Sequence, residues 1–237
     1  MKKILFVVLA SIMFGKASYA QNTTDTDPKY SVYTGSFWSN WYAQAGLDMT
    51  LQNPYGKNFS EVFPKGKTFG LNIAVGKWFT PETSVRIGLN WQNGIGLLKN
   101  GHLQWVGPVG MSHTNIDKGG FATIYGEVLF NLHNIFLGYD ADRIWNVSVF
   151  PRAGLSRNFA CNTASPLVGV GVETTYSVKE GLKIYGEAAY QVTTSEFMGG
   201  VSGTGMTVST GCNGFFDIAV GVRFDLGKSK GKFVKPM

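Results

Sequence analysis

The stretch 215-FFDIAVGVRFDLG-227 (Phe215–Gly227) alternates without a break. Phe216, Ile218, Val220, Val222, Phe224 and Leu226 occupy the even positions, and Asp217, Ala219, Gly221, Arg223 and Asp225 the odd ones. A period of two places successive side chains on opposite faces of a strand. One face of this strand is bulky and apolar, and the other carries charges and small residues. What each face meets follows from the rest of the chain.

The same alternation recurs seven times upstream. Strands are expected over Trp41–Leu51, Phe69–Phe79, Ser84–Gln92, Phe121–Leu132, Arg143–Leu155, Leu167–Val178 and Leu182–Thr193. Each has roughly the nine to eleven residues that a tilted strand needs to cross a bilayer. The connections alternate in length. "TPET" (Thr80–Thr83) and "SVKEGL" are short, and "HNIFLGYDAD" (His133–Asp142) is somewhat longer. The other four are mostly long and rich in Gly, Ser, Thr and Asn, "SRNFACNTAS" among them. Short turns at one end and long loops at the other describe an all-β, eight-stranded, antiparallel up-and-down barrel. The even strand count puts both termini on the short-turn side.

The N-terminus supplies a compartment. Lys2 and Lys3 precede the apolar run Ile4–Phe14, which suits a signal peptide and is too short for a spanning helix. Ser18-Tyr19-Ala20 offers the small residues of a cleavage site, so residues 1–20 are expected to be removed. Losing Lys2, Lys3 and Lys16 lowers the formal charge from +6 to +3, and three of the remaining lysines, Lys230, Lys232 and Lys235, sit in the last eight residues. No basic stripe lies outside that tail, which argues against a nucleic-acid partner. The expected organisation is a signal peptide over 1–20, a periplasmic N-terminal segment over 21–37, a barrel over 38–226 and a basic periplasmic tail over 227–237. Cys161 and Cys212 are an even pair in an exported chain and are expected to form a disulfide between neighbouring loops. Two cysteines and three scattered histidines make no metal site.

A soluble, lipocalin-like barrel would turn the apolar face inward and expose the polar one. Here the polar face is rich in glycine and alanine, which suit a crowded interior. Its charges are few and of both signs: Asp48, Glu127, Glu173, Glu187, Asp217 and Asp225 against Arg86, Arg152, Lys183 and Arg223. They read as an internal network, with Asp48, Arg152 and Asp217 towards the loop end. Arg86, Lys183, Arg223 and Asp225 lie towards the turn end, and the three glutamates lie between. On the apolar face, aromatics gather at strand ends while Val, Ile and Leu fill the middle, the banding of a lipid-facing wall with two girdles. A closed barrel behind a signal peptide fits a bacterial outer membrane.

Segments such as "YAQAGLDMTLQ", "LNIAVGKWFTPETSVRIGLNW" and "DRIWNVSVFPRAGLSRNF" make the chain resemble the small outer-membrane barrels of the OmpA/OmpX kind, the "porin family", in versions found in Bacteroidota. The resemblance covers nearly all of the mature chain and is carried by strand pattern. Its sharper motif is "AVGVRFDL", which resembles the terminal strand read by the barrel-assembly machinery at Gly221, Phe224 and Leu226. The motif departs at Ala219, where a polar residue is usual, and eleven residues follow Leu226 where many members stop. The peptidoglycan-binding domain of the fuller family architecture, and with it cell-wall tethering, is not expected here.

Catalytic readings are weaker. Glu173 and Glu187 share a face of neighbouring strands, but an eight-stranded barrel is filled by its own side chains. His102, His113 and His133 fall in connections, and none is at a lipid-facing strand position of the kind a lipid-modifying hydrolase would use. "GGVSGTG" lacks the Lys-Ser/Thr of a phosphate loop. The expectation is a non-enzymatic structural or interaction barrel without a cofactor. Its partners are outer-membrane lipid and lipopolysaccharide, the assembly machinery, and an unspecified partner of the long loops. The alternatives are a lipid-modifying hydrolase and a small diffusion pore.

Overall fold

The computed structural model describes residues 38–53, 67–93, 120–159, 163–194, 197, 212–226 and 233. Eight strands run in order: β1 (Trp41–Asn53), β2 (Lys67–Trp78), β3 (Thr83–Asn93), β4 (Phe121–Asn131), β5 (Trp145–Asn158), β6 (Thr163–Lys179), β7 (Leu182–Thr194) and β8 (Cys212–Asp225). Each pairs antiparallel with its neighbour in sequence, and β8 pairs with β1 to close the barrel. Closure gives every strand a hydrogen-bonded neighbour on both sides, as a wall in hydrocarbon requires.

Register follows from the alternation. In the closing seam Leu47 stands opposite Val220 and Ala45 opposite Val222, so apolar positions of both strands share the outer face. A slip of one residue would turn all of them inward. On the outside, Leu47 is 69% exposed, Val170 63% and Val220 58%. A belt of exposed Leu, Ile and Val contributed by all eight strands exceeds what a water-soluble surface tolerates and suits a wall facing lipid. Aromatic rings edge the belt at both ends: Trp145 meets Tyr176 at 5.9 Å near the short turns, and Trp91 meets Phe159 at 5.6 Å near the long connections.

Four local features differ from the periodicity. Leu132 does not end β4 but opens a one-turn helix, α1 (Leu132–Leu137). Asn131 caps it by accepting from the Asn134 N–H at 3.1 Å, and Gly138, with φ of 77°, closes it in a conformation few other residues adopt. β5 and β6 extend through the pairs Ser156–Ser165 and Asn158–Thr163, so most of "SRNFACNTAS" is strand. Leu51 has outward parity but is buried. Pairing between β4 and β5 lapses at Val128 and Leu129, across from Phe150 and Pro151, where proline has no N–H to donate.

Segments 1–20 and 21–37, Cys161, His102, His113 and "GGVSGTG" lie outside the described residues, as does the tail 227–237 apart from Phe233. Cys212, at the start of β8, is an exposed free thiol, which departs from the disulfide expected for it.

Two neighbours in β8 test the face assignment. Ala219 is 2% exposed and Val220 is 58% exposed. Val220→Arg is expected to destabilise folding into lipid vesicles by about 2–4 kcal/mol, the depth-dependent cost near a bilayer midplane. Ala219→Ser should fold almost as the parent does. Equal folding of the two variants would mean that the faces are reversed.

Candidate functional site in the barrel lumen

The inward positions of the strands converge on three buried arginines. Arg86 comes from β3, Arg152 from β5 and Arg223 from β8, and none is more than 3% exposed. Between them stand Glu127 of β4, Glu173 of β6 and Glu187 of β7. Arg86 donates to all three glutamates, reaching Glu187 at 2.7 Å. Arg152 donates through Nε to Glu127 at 2.6 Å, through Nη2 to Glu187, and stands 3.5 Å from Asp217. Arg223 reaches Glu173 at 2.6 Å and Gln44 of β1 at 2.8 Å. A guanidinium presents five donors in a rigid fork, so one arginine can serve several carboxylates converging from different strands.

Glu173 and Glu187 face each other directly in the β6–β7 register, an unfavourable placement for like charges. Arg86 bridges them, donating to one oxygen of each. Their acceptor positions are therefore occupied by the barrel itself, and the pair offers no open general acid and base. His133 is likewise engaged, with Nδ1 3.0 Å from the Trp145 carbonyl. Among the described residues no group of three or more His, Cys, Asp or Glu converges as a metal site.

Six lumen acids stand against four bases, and the surplus is at the long-connection end. The grouping of Asp48 with Arg152 does not form. Arg152 is committed to Glu127, Glu187 and Asp217, and Asp48 accepts instead from Asn90 and from Gln92 at 2.8 Å. No described cation forms an ion pair with Asp48. Thr50 donates to Asp217 at 2.7 Å. At the other end Lys183 pairs with Asp225 at 2.7 Å, the lysine side chain being 23% exposed.

Aromatic side chains also occupy the lumen, which charge patterning alone does not suggest. Arg152 lies 4.2 Å from the Tyr125 ring centroid, and Arg223 lies 4.3 Å from that of Tyr42. Such contacts stabilise a desolvated guanidinium. Each ring lies across a glycine on the adjacent strand: Tyr42 against Gly76, Tyr125 against Gly88, Phe150 against Gly171. A Cβ at Gly76 or Gly88 would overlap the ring itself. The alternation already places Tyr42 and Tyr125 inward, but their glycine partners depend on inter-strand register.

The two mouths differ. Phe121 and Phe215 point inward at the long-connection end, and Phe197 packs edge-on against both at 5.7 and 5.4 Å, its carbonyl accepting from Asn158. The three rings form a buried cluster there. At the short-turn end a polar cavity of about 270 Å³ is lined by Asn146, Lys183, Arg223 and Asp225, with Phe233 at its rim. The Phe233 N–H donates to the Tyr139 hydroxyl at 2.8 Å. Burial raises the Tyr139 phenol above its ordinary pKa.

No family model matches the chain, and no curated protein sequence matches it. Among solved structures it is similar to Neisserial surface protein A (NspA), at 14% identity and a TM-score of 0.47, covering 79% of this chain and 98% of that one. Outer membrane protein H (OprH) from P. aeruginosa aligns at 13% identity and a TM-score of 0.42, covering 79% and 100%. Ail, the attachment invasion locus protein of Yersinia pestis, aligns at 10% identity and a TM-score of 0.39, covering 78% and 99%. These likenesses concern the strand architecture and do not extend to activity or partners.

Removing Arg86 leaves two arginines to balance three buried glutamates, each of which loses one of its two cation partners. Arg86→Ala is expected to cost about 3–5 kcal/mol, the usual penalty for breaking a buried pair. Asp48→Asn, which removes a carboxylate with no cation partner among the described residues, should be neutral or stabilising. Urea unfolding from vesicles compares the two, and a larger loss for Asp48→Asn would overturn this reading of the network. Gly88→Ala forces the Tyr125 ring off both Arg152 and Asn72, its 3.0 Å hydrogen-bond partner. It should be destabilising alone and much less so in the Tyr125→Leu background. Additive effects in that double-mutant cycle would show that ring and glycine are not coupled.

Proposed function

We propose that this chain is a non-enzymatic barrel of the bacterial outer membrane, acting through its wall and its long connections rather than through its lumen. The observation that carries the reading is the interior: three arginines and three glutamates interlock across six strands, and phenylalanines cluster at one mouth. A lumen filled in this way argues against a continuous water path, and the polar cavity of about 270 Å³ is confined to the short-turn end. The outward apolar belt supports residence in lipid, and the apolar run behind Lys2 and Lys3 supports export.

On this reading the short turns face the periplasm and the long connections face outward, where they meet lipopolysaccharide and an environmental or host partner. The assembly machinery reads β8 through Gly221, Phe224 and Leu226. Phe224 and Leu226 are exposed on the wall, where a reader could reach them. Gly221 packs so closely on the β1 backbone at Ala45 and Gly46 that a Cβ has no room, a reason for glycine there independent of recognition.

Planar-bilayer recording of the purified monomer tests the closed lumen. The expected trace is electrically quiet, with at most brief, small events. Steady, large conductance from the wild-type monomer would establish an open channel and replace this proposal with the diffusion pore.

A further inference from the structure

α1 is short, yet it is held in place from three sides. The Asn134 amide donates to the Pro81 carbonyl in the β2–β3 turn at 2.7 Å. Arg143 donates to the Asn134 side chain at 2.7 Å and to the Gly138 carbonyl at 2.9 Å. His133 meets the Trp145 carbonyl at the start of β5. These polar contacts hold the buried side of α1, and what the helix turns outward is apolar. Phe136 is 75% exposed and Leu137 64%, with Ile135 beside them, and Ile144 is 55% exposed on the same connection. A rigidly fixed, exposed apolar surface on a polar anchor calls for an apolar partner.

We propose that α1 is an interfacial foot, with Phe136 and Leu137 inserted at the headgroup–acyl boundary of the phospholipid leaflet on the short-turn side. This rests on the reading of the barrel wall as lipid-facing. Continuity identifies the occupant. His133 is bonded to the backbone of Trp145, itself part of the aromatic girdle, and Ile144 is joined to β6 next to girdle residue Tyr176 through the Ser177 N–H at 2.8 Å. The foot therefore adjoins the wall at its girdle. Lys77 marks the same rim on another strand. It has outward parity at the turn end of β2, and its ammonium lies 5.5 Å from the Trp41 ring and 5.9 Å from the Phe79 ring while donating to the Ser39 carbonyl at 2.8 Å. That is how a lysine at the edge of hydrocarbon reaches back to a polar layer. An apolar helical face beside such a rim lies in the interface, as amphipathic helices do. The foot would fix the depth of the barrel from one leaflet.

Nitroxide labels report the outcome. Single-cysteine variants Phe136→Cys, Leu137→Cys, Asp140→Cys and Val220→Cys, each with Cys161→Ser and Cys212→Ser, are labelled and folded into phosphatidylcholine vesicles. Collision with oxygen is compared with collision with a water-soluble nickel chelate. Labels at 136 and 137 are expected to favour oxygen, as at 220, while the label at the exposed Asp140 position favours the chelate. If 136 and 137 behave like 140 while 220 favours oxygen, the foot is wrong and the wall stands. If 220 also favours the chelate, the lipid-facing wall itself fails. Low access to both reagents at 136 and 137 would show a protein contact, from a second copy or another part of this chain, and overturn the lipid assignment.

Discussion

An eight-stranded barrel leaves an interior about as wide as the side chains that fill it. A charge placed there is removed from water, and only a partner within reach makes it tolerable. Arg86, Arg152 and Arg223 meet this demand together because each guanidinium serves acceptors from more than one strand. The arginines come from β3, β5 and β8, and the glutamates from β4, β6 and β7. Gln44 brings in β1, and Asn72 brings in β2 through the Tyr125 hydroxyl. The polar lattice thus ties the strands together across the lumen, while the backbone ladders tie them around it. Its role is specification more than net stability, since a well-packed apolar filling can be as stable as a buried ion network.

The rings and glycines belong to the same arrangement. A guanidinium leaves its flat faces unsatisfied, and Tyr125 and Tyr42 cover two of them. A tyrosine can lie flat in so narrow a space only where the next strand has no side chain. Gly88 and Gly76 supply those gaps. Charge, ring and glycine therefore constrain one another across strand pairs, and a change at any one reaches the other two.

Outside, the demands are reversed. The wall carries apolar bulk because nothing polar is there to pair with, and rings and a reaching lysine mark where the hydrocarbon ends. The two ends of the barrel are built differently. Phe121, Phe197 and Phe215 pack against one another over one mouth, while the other keeps a small polar cavity beside a helix whose apolar side chains face outward. Such asymmetry suits a protein that meets a different layer at each end.

The strand count, the faces and the lumen acids and bases were legible in the sequence because they depend on parity, a property local to each strand. Val220 outward and Asp217 inward need no knowledge of any other strand. Which groups meet was not legible. Glu127 is 41 residues from Arg86, and Glu187 is 101 away, so their meeting depends on the register and tilt of a closed sheet. The same holds for Tyr125 over Gly88, for Asp48 finding amides rather than Arg152, and for Phe197, which a distant backbone carbonyl contact brings to the other two rings. Leu132 shows the limit from the other direction. Its alternation continues that of β4, but Asn131 has already capped a helix anchored through Asn134 to Pro81 and Arg143, and those tertiary contacts outweigh the local pattern.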